Sequence, residues 1–274
     1  MNFHPFVLLN GRLAGAREAS VSPLSDGFMQ GRGLFETIKI LRRQPVFFSD
    51  HAARLIRSAG RLGLPVPSTA ETLRDRCEHL IAANELDDGV LKIVLFQDVE
   101  ETGELIVARR NPYLPDAYAR GFKLTVVYVG QRPGYPGLKT LNYLGNSEAK
   151  RAAQAAGFDE PVFADSAGIV LEGATTNVFA VRRGTVVTPE LDRGILPGVA
   201  RANVLRLAGG APVREGPLTL AQLLEADEVF VTNAVLGVMP VAQIDRRAFR
   251  LAESPVTRAI LQAYQAAELA SIAS

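Results

Sequence analysis

The chain has 274 residues, a formal net charge of +1, and hydrophobic and charged fractions of 47% and 22%. These proportions are typical of a globular enzyme of one large or two moderate domains, and the near-neutral charge argues against binding to nucleic acid or to a membrane surface. One cysteine excludes an intrachain disulfide, and with only three scattered histidines beside it the sequence predicts no transition-metal site. The lack of a signal sequence and of an apolar span predicts a cytoplasmic protein.

Strand patterns begin near the N-terminus. Asn10-Gly11, between two short apolar runs, predicts a hairpin. The alternating string LFETIKI predicts a half-buried strand from Leu34 to Ile40, and Arg42-Arg43-Gln44 is expected to turn the chain back into PVFF. Further along, VLKIVLF and ELIVARR are expected to pair with each other as strands.

Two helices are predicted between these strands. Ser49 is expected to cap a helix over residues 50–62, which has one apolar face and ends at Gly63. The string STAE at residues 68–71 has the form of a capping box, so it is expected to open a second helix that ends near Ala83.

A string rich in proline and glycine, NPYLPDAYARG, is the predicted linker between two domains. A second series of elements follows it. The predicted strands are GFKLTVVYV, PVFAD, IVLEG, NVFAV, TVVTP and EVFVT, and the predicted helices cover residues 146–156, the stretch after Gly198, and residues 255–270. The simplest arrangement is two α/β domains, over residues 1–115 and 116–274, with a ligand in the cleft between them.

Lys139 lies in an apolar segment flanked by turns, KTLNYL, and Glu172 opens the string EGATTN. A buried lysine is costly unless it is paired or used chemically. Taken alone, Lys139 is either a lysine that extends its amine to solvent from a strand end or a nucleophile. Taken alone, Glu172 is either a solvated glutamate in a turn or a carboxylate that belongs to a site.

The strings KTLNYL, AGIVLEGATTNVFAV and GILPGVAR together resemble the pyridoxal-phosphate enzymes of fold type IV, the class IV aminotransferase family. The resemblance extends from about Asn10 to about Val241. Its members include branched-chain and D-amino-acid aminotransferases and aminodeoxychorismate lyase. The resemblance implies a two-domain α/β (α+β) fold, pyridoxal 5'-phosphate in the interdomain cleft, a C-terminal domain that carries the Schiff-base lysine, and a homodimer.

The same resemblance implies roles for three of these residues. Lys139 is the Schiff-base lysine and then the proton carrier, because an amine can form an imine, leave and return as a base. Glu172 is the carboxylate beside the pyridine nitrogen, which keeps that nitrogen protonated. Arg54 lies in the H-x-x-R-L string that begins at His51, and in the family this arginine binds the cofactor phosphate.

Further cofactor contacts follow from the LPGVAR string. Gly198 opens a helix, and the first amides of that helix, at Val199 and Ala200, attract phosphate. Many family members carry threonine in place of Ala200, so only backbone contacts are expected here. The other residues that the resemblance assigns to the cofactor are Tyr143, Thr175, Asn233 and Ala234.

Of two possible reactions, the lyase reaction is expected first. The strings GRGLFETIKI, HAARLIRSAGRLGLP and ADEVFVTNAVLGVMPV resemble their counterparts in 4-amino-4-deoxychorismate lyase, which forms 4-aminobenzoate and pyruvate in folate synthesis. Amino-acid transamination, of the branched-chain or D-amino-acid type, is the alternative. A non-catalytic relative with an interaction role is a remote third, because such a protein has no physical reason to keep both Lys139 and Glu172.

The expected substrate is a small molecule that bears an amine, and its carboxylate needs a cation. Gln97 stands where lyases and D-amino-acid aminotransferases commonly carry an arginine, which argues against both. Phe35 replaces a tyrosine of the D-amino-acid enzymes. Lys92 lies roughly where branched-chain enzymes carry an arginine, so Lys92 is one candidate cation, and Arg109 or Arg110 on the next strand is another.

Overall fold

The computed structural model describes residues 3–113, 115–130, 136–207 and 210–273. The chain divides into two compact units. The first unit comprises Met1–Pro112, Leu138–Asn142 and Glu268–Ser274, and the second comprises Tyr113–Gly137 and Tyr143–Ala267. The division falls inside the predicted linker string, three residues before the expected boundary after residue 115.

An antiparallel sheet forms the centre of the first unit. Its strands are β1 (Phe6–Leu9), β2 (Arg12–Gly15), β3 (Gly33–Leu41), β4 (Gln44–Pro45), β5 (Gly89–Gln97) and β6 (Thr102–Arg109). Their order across the sheet is β2-β1-β6-β5-β3-β4. The Asn10-Gly11 hairpin, the LFETIKI strand and the pairing of β5 with β6 were all predicted from the sequence and are confirmed.

The described part of the first unit contains three helices. They are α1 (Asp26–Gln30), α2 (Phe48–Leu62) and α3 (Ala70–Ala83). The apolar stripe of α2, which includes Leu55 and Ala59, packs with Leu80 of α3 and with Ile38 and Leu91 of the sheet in one buried core. Burial of this stripe holds α2 against β3, which fixes the positions of the polar residues that α2 also carries.

The helix starts differ from the predicted caps. Phe47, not Ser49, precedes α2; it adopts a left-handed conformation with φ 50°, and its amide donates to Ser271 Oγ at 3.2 Å. Thr69 rather than Ser68 caps α3, accepting from the Thr72 amide at 3.1 Å. Both predicted caps were wrong because residues distant in sequence decide these starts: Ser68 instead donates to the buried Glu104 at 2.6 Å.

The segment that carries Lys139 extends the edge of the first sheet. The Phe35 amide donates to the Lys139 carbonyl at 2.9 Å, and the Leu141 amide donates to the Gly33 carbonyl at 3.0 Å. Residues 138–142 therefore belong to the first unit. The expectation that a domain over residues 116–274 carries Lys139 was wrong, because this short segment pairs with β3 and not with the strands that follow it in sequence.

The second unit is built on a mixed sheet. Its helices are α4 (Pro115–Arg120), α5 (Leu144–Ala155), α6 (Val199–Leu207), α7 (Leu220–Leu224) and α8 (Pro255–Ile272), whose last residues from Glu268 count with the first unit. Its strands are β7 (Phe122–Tyr128), β8 (Glu160–Ala164), β9 (Val170–Gly173), β10 (Asn177–Arg182), β11 (Thr185–Thr188), β12 (Val213–Glu215), β13 (Glu228–Asn233), β14 (Gly237–Ile244) and β15 (Arg247–Ala248).

The order across this sheet is β12-β11-β10-β13-β14-β7-β8-β9, with β15 paired to β14. The neighbours β7 and β8 are parallel, whereas β10 and β13 are antiparallel. Phe179 and Phe230 stack with their centroids 4.7 Å apart where β10 meets β13. The predicted strands are confirmed, and the helix expected from residue 146 begins two residues earlier, at Leu144. Within the described ranges, no helix is long and apolar enough to cross a membrane.

Two glycine substitutions test how tightly β3 is packed at its start. A Cβ on Gly33 would collide with the Leu95 carbonyl and with the Leu141 side chain. We expect Gly33→Ala to lower the free energy of unfolding by about 1–3 kcal/mol, because a backbone oxygen cannot move aside. The measurement is denaturant unfolding, with Gly60→Ala in α2 as the matched control.

A Cβ on Gly60 would meet nothing within 4 Å. The control should therefore stabilise the protein by about 0.5–1 kcal/mol, the helical preference for alanine over glycine. Equal effects of the two substitutions would contradict the packing described for Gly33.

Candidate active site

Two lysines share one aromatic ring in the first unit. The Nζ atoms of Lys139 and Lys92 each lie 4.4 Å from the centroid of the Phe35 ring. Lys92 on β5 is opposite Thr37 on β3, so its side chain stands on the same face of the sheet as Phe35. A ring face attracts cations, and the structure thus brings together three of the residues singled out from the sequence.

Lys92 is the better placed of the two candidate cations. Burial lowers the pKa of Lys92, and the charge of Arg109 lowers it further. Arg109 lies on the neighbouring strand β6 and donates from Nη1 to the carbonyl of Arg110 at 3.2 Å. Lys92 therefore combines a half-buried position with contact to the ring that Lys139 also contacts.

Gln97 has a structural role at the end of β5. Its Nε2 donates to the Asp98 carbonyl at 3.0 Å and to the Glu101 carbonyl at 3.4 Å. These bonds close the turn between β5 and β6. The side chain that replaces the family's arginine is thus used within its own hairpin.

Arg54 lies in a buried cluster with Glu36 and His51. Its Nε and Nη2 donate to the two oxygens of Glu36 at 2.8 and 2.6 Å, and His51 Nδ1 lies 2.7 Å from Glu36 Oε2. Glu36 is 2% exposed, His51 1% and Arg54 7%. Arg54 was predicted from the sequence, but its partners Glu36 and His51 were not. Glu36 could have been found as a charged residue at an apolar position of the LFETIKI alternation.

The ionisation of this cluster follows from its contacts. Burial by itself raises the pKa of Glu36, but the charge of Arg54 and hydrogen bonds from His51 and Arg54 outweigh it and bring that pKa to about 2. Burial lowers the pKa of His51, and Glu36 only partly offsets the effect. Since an ionised carboxylate can only accept, the neutral His51 ring carries its hydrogen on Nδ1 and donates it.

In the second unit, Glu172 is tied to the turn before α6. It is the next-to-last residue of β9 and is almost fully buried, and its Oε2 accepts from the Leu196 amide at 3.0 Å. Asn177 Nδ2 donates to the Leu196 carbonyl at 2.9 Å. The two side chains thus hold opposite sides of one residue's backbone, and Asn177 is a site residue that the sequence reasoning missed.

The start of α6 has the form of an anion site. A Cβ on Gly198 would collide with Asn177 Oδ1, so the close approach requires glycine there. Val199 and Ala200 are the first two residues of α6. Amides in a first turn have no acceptor within their own helix and lie at the positive end of its dipole.

The turn after Glu172 is held from two sides. Tyr143 Oη and Asn146 Nδ2 both donate to the Ala174 carbonyl, at 2.6 and 2.8 Å. The Thr175 hydroxyl donates to the buried Glu160 at 2.9 Å and accepts from Lys150 at 3.0 Å. The single proton of the Thr175 hydroxyl is therefore already used within the protein.

Lys150 and Glu160 form an ion pair of 2.9 Å that sequence reasoning missed. Burial by itself lowers the pKa of Lys150, but the charge of Glu160, the interaction with Tyr113 and hydrogen bonds to both together outweigh it, and the net effect is a raised pKa. Lys150 thus stays charged and supports the turn that carries Thr175.

Asn233 ends β13 and closes the next turn. Its Oδ1 accepts from the amides of Val235 and Leu236, each at 2.9 Å. Ala234 follows Asn233 directly in the same turn. Asn233 therefore orients the backbone around Ala234, and its side-chain oxygen is used for that purpose.

Residues 33–244 match the sequence model of the family described as amino-transferase class IV. This match covers well over half of the chain, and the protein therefore belongs to the class IV aminotransferases. Members of this family are pyridoxal-phosphate-dependent enzymes, so the expectations of an enzyme of this class and of its cofactor are confirmed.

Relatives of known name include both kinds of enzyme expected from the sequence. A putative branched-chain-amino-acid aminotransferase of Methanocaldococcus jannaschii is 33% identical over 254 residues, 88% of each chain. A D-alanine aminotransferase of Listeria innocua is 29% identical over 87% of each chain. The aminodeoxychorismate lyase of Bacillus subtilis is 28% identical over 94% of this chain and 93% of its own.

Solved structures confirm the fold class. The branched-chain aminotransferase of Thermoproteus uzoniensis with norvaline has a TM-score of 0.88 at 30% identity, over 98% of this chain and 96% of that one. The branched-chain amino acid aminotransferase of Escherichia coli also has a TM-score of 0.88, at 26% identity over 96% of this chain and 94% of its own. The predicted α+β fold of the type IV enzymes is thus correct.

The described residues fit pyridoxal phosphate. They offer an amine at Lys139, a buried carboxylate at Glu172, and the first amides of helix α6 at Val199 and Ala200. Among these described residues, no group of three or more histidine, cysteine or acidic side chains is arranged to hold a metal ion.

The buried Glu36 carboxylate should make stability depend on acid. Its pKa is lowered from the ordinary 4.5 to about 2 in the folded protein, so its contribution is complete above pH 4.5 and is lost as pH falls toward 2. We expect the difference in free energy of unfolding between the wild type and Glu36→Gln to shrink across that range. Denaturant unfolding at a series of pH values measures it; a difference that stays constant with pH would contradict the assignment.

Proposed function

We propose that this protein is a pyridoxal-phosphate-dependent aminotransferase of small amino acids. The observation that carries the proposal is the pair of lysines on Phe35, which sets a second cation beside the amine of Lys139. An amino acid presents an amine and a carboxylate a short distance apart, so it suits an amine-transferring lysine with a neighbouring cation. The similarity to aminotransferases among the named relatives supports the same choice.

Lys139 is proposed to carry the cofactor and then to move a proton at its Nζ. Bound pyridoxal phosphate supplies the electron sink for charge that develops on the substrate carbon bearing nitrogen. Glu172 is proposed to hold the proton of the ring nitrogen. Its burial and its bond to the Leu196 amide keep the carboxylate in one orientation for that task.

Phosphate binding is proposed for Arg54 and for the first amides of α6, at Val199 and Ala200. A helix start and a guanidinium are both suited to a doubly charged phosphate. The second unit adds supporting roles: Tyr143 fixes the turn after Glu172, and Thr175 presents its backbone or methyl group because its hydroxyl proton is donated to Glu160. Asn233 and Ala234 are proposed to contribute backbone contacts.

Lys92 is proposed to bind the substrate carboxylate, and Arg109 to lie behind it as a second charge. Phe35 then shapes the space beside both lysines. Gln97 is left out of this role, because both amide hydrogens of its side chain are used in the hairpin.

Aminodeoxychorismate lyase activity, in folate synthesis, is the second candidate. The string ADEVFVTNAVLGVMPV and the identity of 28% to the Bacillus subtilis lyase over 94% of the chain favour it. Both reactions need an amine at Lys139 and a carboxylate at Glu172, so these two residues do not separate them.

We further propose a homodimer, by the resemblance to the family, and a cytoplasmic location, on the single free and buried Cys77. Light scattering of the purified protein measures the assembly, and an active monomer would contradict the dimer.

The covalent role of Lys139 has a direct test. We expect the purified protein to be yellow, and borohydride to bleach it and to attach the cofactor permanently to the peptide that contains Lys139, as read by mass spectrometry. Lys139→Ala should bind pyridoxal phosphate without any attachment. A wild-type protein that takes up no pyridoxal phosphate would overturn the proposed function.

The reaction and the role of Lys92 are tested together. The cofactor-loaded protein is mixed with L- and D-amino acids plus 2-oxoglutarate or pyruvate, and separately with 4-amino-4-deoxychorismate. We expect amino-group transfer, with Lys92→Met raising KM about 10- to 100-fold and Lys92→Arg restoring most of it, because a charge-assisted hydrogen bond is lost and regained. Catalytic formation of 4-aminobenzoate and pyruvate without transfer would make the protein a lyase instead.

A further inference from the structure

The cluster of Glu36, His51 and Arg54 contains two buried ionisable residues that the proposed reaction does not use. All three lie in the first unit. Two buried hydrogen bonds join Arg54 to Glu36, and a third contact joins His51 to the same carboxylate. Such an arrangement is costly to bury unless its members satisfy one another or act on something else.

The geometry of the bonds fixes the plane of the guanidinium. Glu36 takes the edge of Arg54 formed by Nε and Nη2. A second bidentate partner would therefore meet the edge formed by Nη1 and Nη2. A flexible arginine side chain loses rotamer freedom when it binds an anion. The Arg54 side chain is already held by Glu36, so binding an anion costs it less entropy.

His51 fixes the carboxylate in turn. Glu36 accepts on Oε2 from both Arg54 and His51, so the plane of the carboxylate is defined by bonds from two residues of α2. The His51 ring is neutral and donates from Nδ1, so it adds direction without adding charge. The net charge of the cluster is zero, which permits its burial.

The position of the cluster connects it to Lys139. Glu36 follows Phe35 on β3, and the Phe35 amide donates to the Lys139 carbonyl at 2.9 Å. Successive residues of a strand point to opposite faces, so β3 carries the lysine contact on one face and the arginine cluster on the other. Phe35, whose ring contacts the Lys139 amine, is therefore the direct chain neighbour of Glu36, which holds Arg54.

We propose that Glu36 and His51 are positioning residues that orient the Arg54 guanidinium for the phosphate of pyridoxal phosphate. This rests on the proposed function, in which Arg54 binds that phosphate. Glu36 and His51 would thus act on the phosphate through Arg54.

The test compares two ligands on the apo-protein. Pyridoxal phosphate and pyridoxal differ only in the phosphate, so the ratio of their dissociation constants isolates the phosphate contribution. We expect Glu36→Gln and His51→Leu to weaken binding of pyridoxal phosphate about 10- to 100-fold, and binding of pyridoxal by less than about twofold. His51→Asn, whose amide can donate as Nδ1 does, should restore most of the affinity.

Glu104→Gln is the matched control. Glu104 is also a buried carboxylate, bound by Arg76 at 2.7 Å and by Ser68 at 2.6 Å. Loss of this ion pair lowers stability in the same way, but it should leave the ratio of the two dissociation constants unchanged. Thermal unfolding of each variant establishes that it is folded, and if Glu36→Gln is not folded the two His51 variants carry the test.

The remaining outcomes separate the inference from the proposed function. If Arg54→Lys leaves the ratio unchanged, the phosphate role of Arg54 fails and the inference fails with it. If Arg54→Lys changes the ratio but Glu36→Gln and His51→Leu do not, the phosphate role stands and the inference is overturned. Equal weakening of both ligands by the Glu36 and His51 variants would show a structural role only, and would also overturn it.

Discussion

The backbone pairing of Lys139 with β3 is the contact on which the pair of lysines in the first unit depends. The five residues Leu138–Asn142 belong to the first unit, although the residues on both sides of them in sequence belong to the second. They pair with the first sheet through hydrogen bonds to Gly33 and Phe35. These bonds place the amine of Lys139 over the Phe35 ring, where Lys92 also lies. Because strand residues alternate between faces, the same strand presents Glu36 to helix α2.

In the second unit, one residue holds two side chains together. Glu172 and Asn177 bind the amide and the carbonyl of Leu196, so the Glu172 carboxylate and the start of α6 are held in a fixed relation. Gly198 allows the approach because any larger residue would collide with Asn177. Where the family commonly has a threonine, Ala200 leaves this helix start to act through its backbone.

Each unit contains a buried pair of opposite charges. Arg54 is matched by Glu36, and Lys150 by Glu160. A lone charge in either place would be strongly destabilising, whereas a paired one mainly adds direction. As a consequence, the Thr175 hydroxyl is used to bind the Lys150–Glu160 pair, and its proton is not offered to a ligand.

The sequence by itself determined the family, the cofactor and most strands and helices, because short strings and local periodicity carry that information. The LFETIKI alternation predicted β3, and KTLNYL with EGATTN singled out Lys139 and Glu172 as candidate site residues. Only the tertiary structure decided that Lys139 belongs with the first unit, that Gln97 closes its hairpin, and that Glu36 and His51 hold Arg54. Each of these contacts joins a residue to a partner that folding brings close to it, and the local sequence around the residue does not identify that partner.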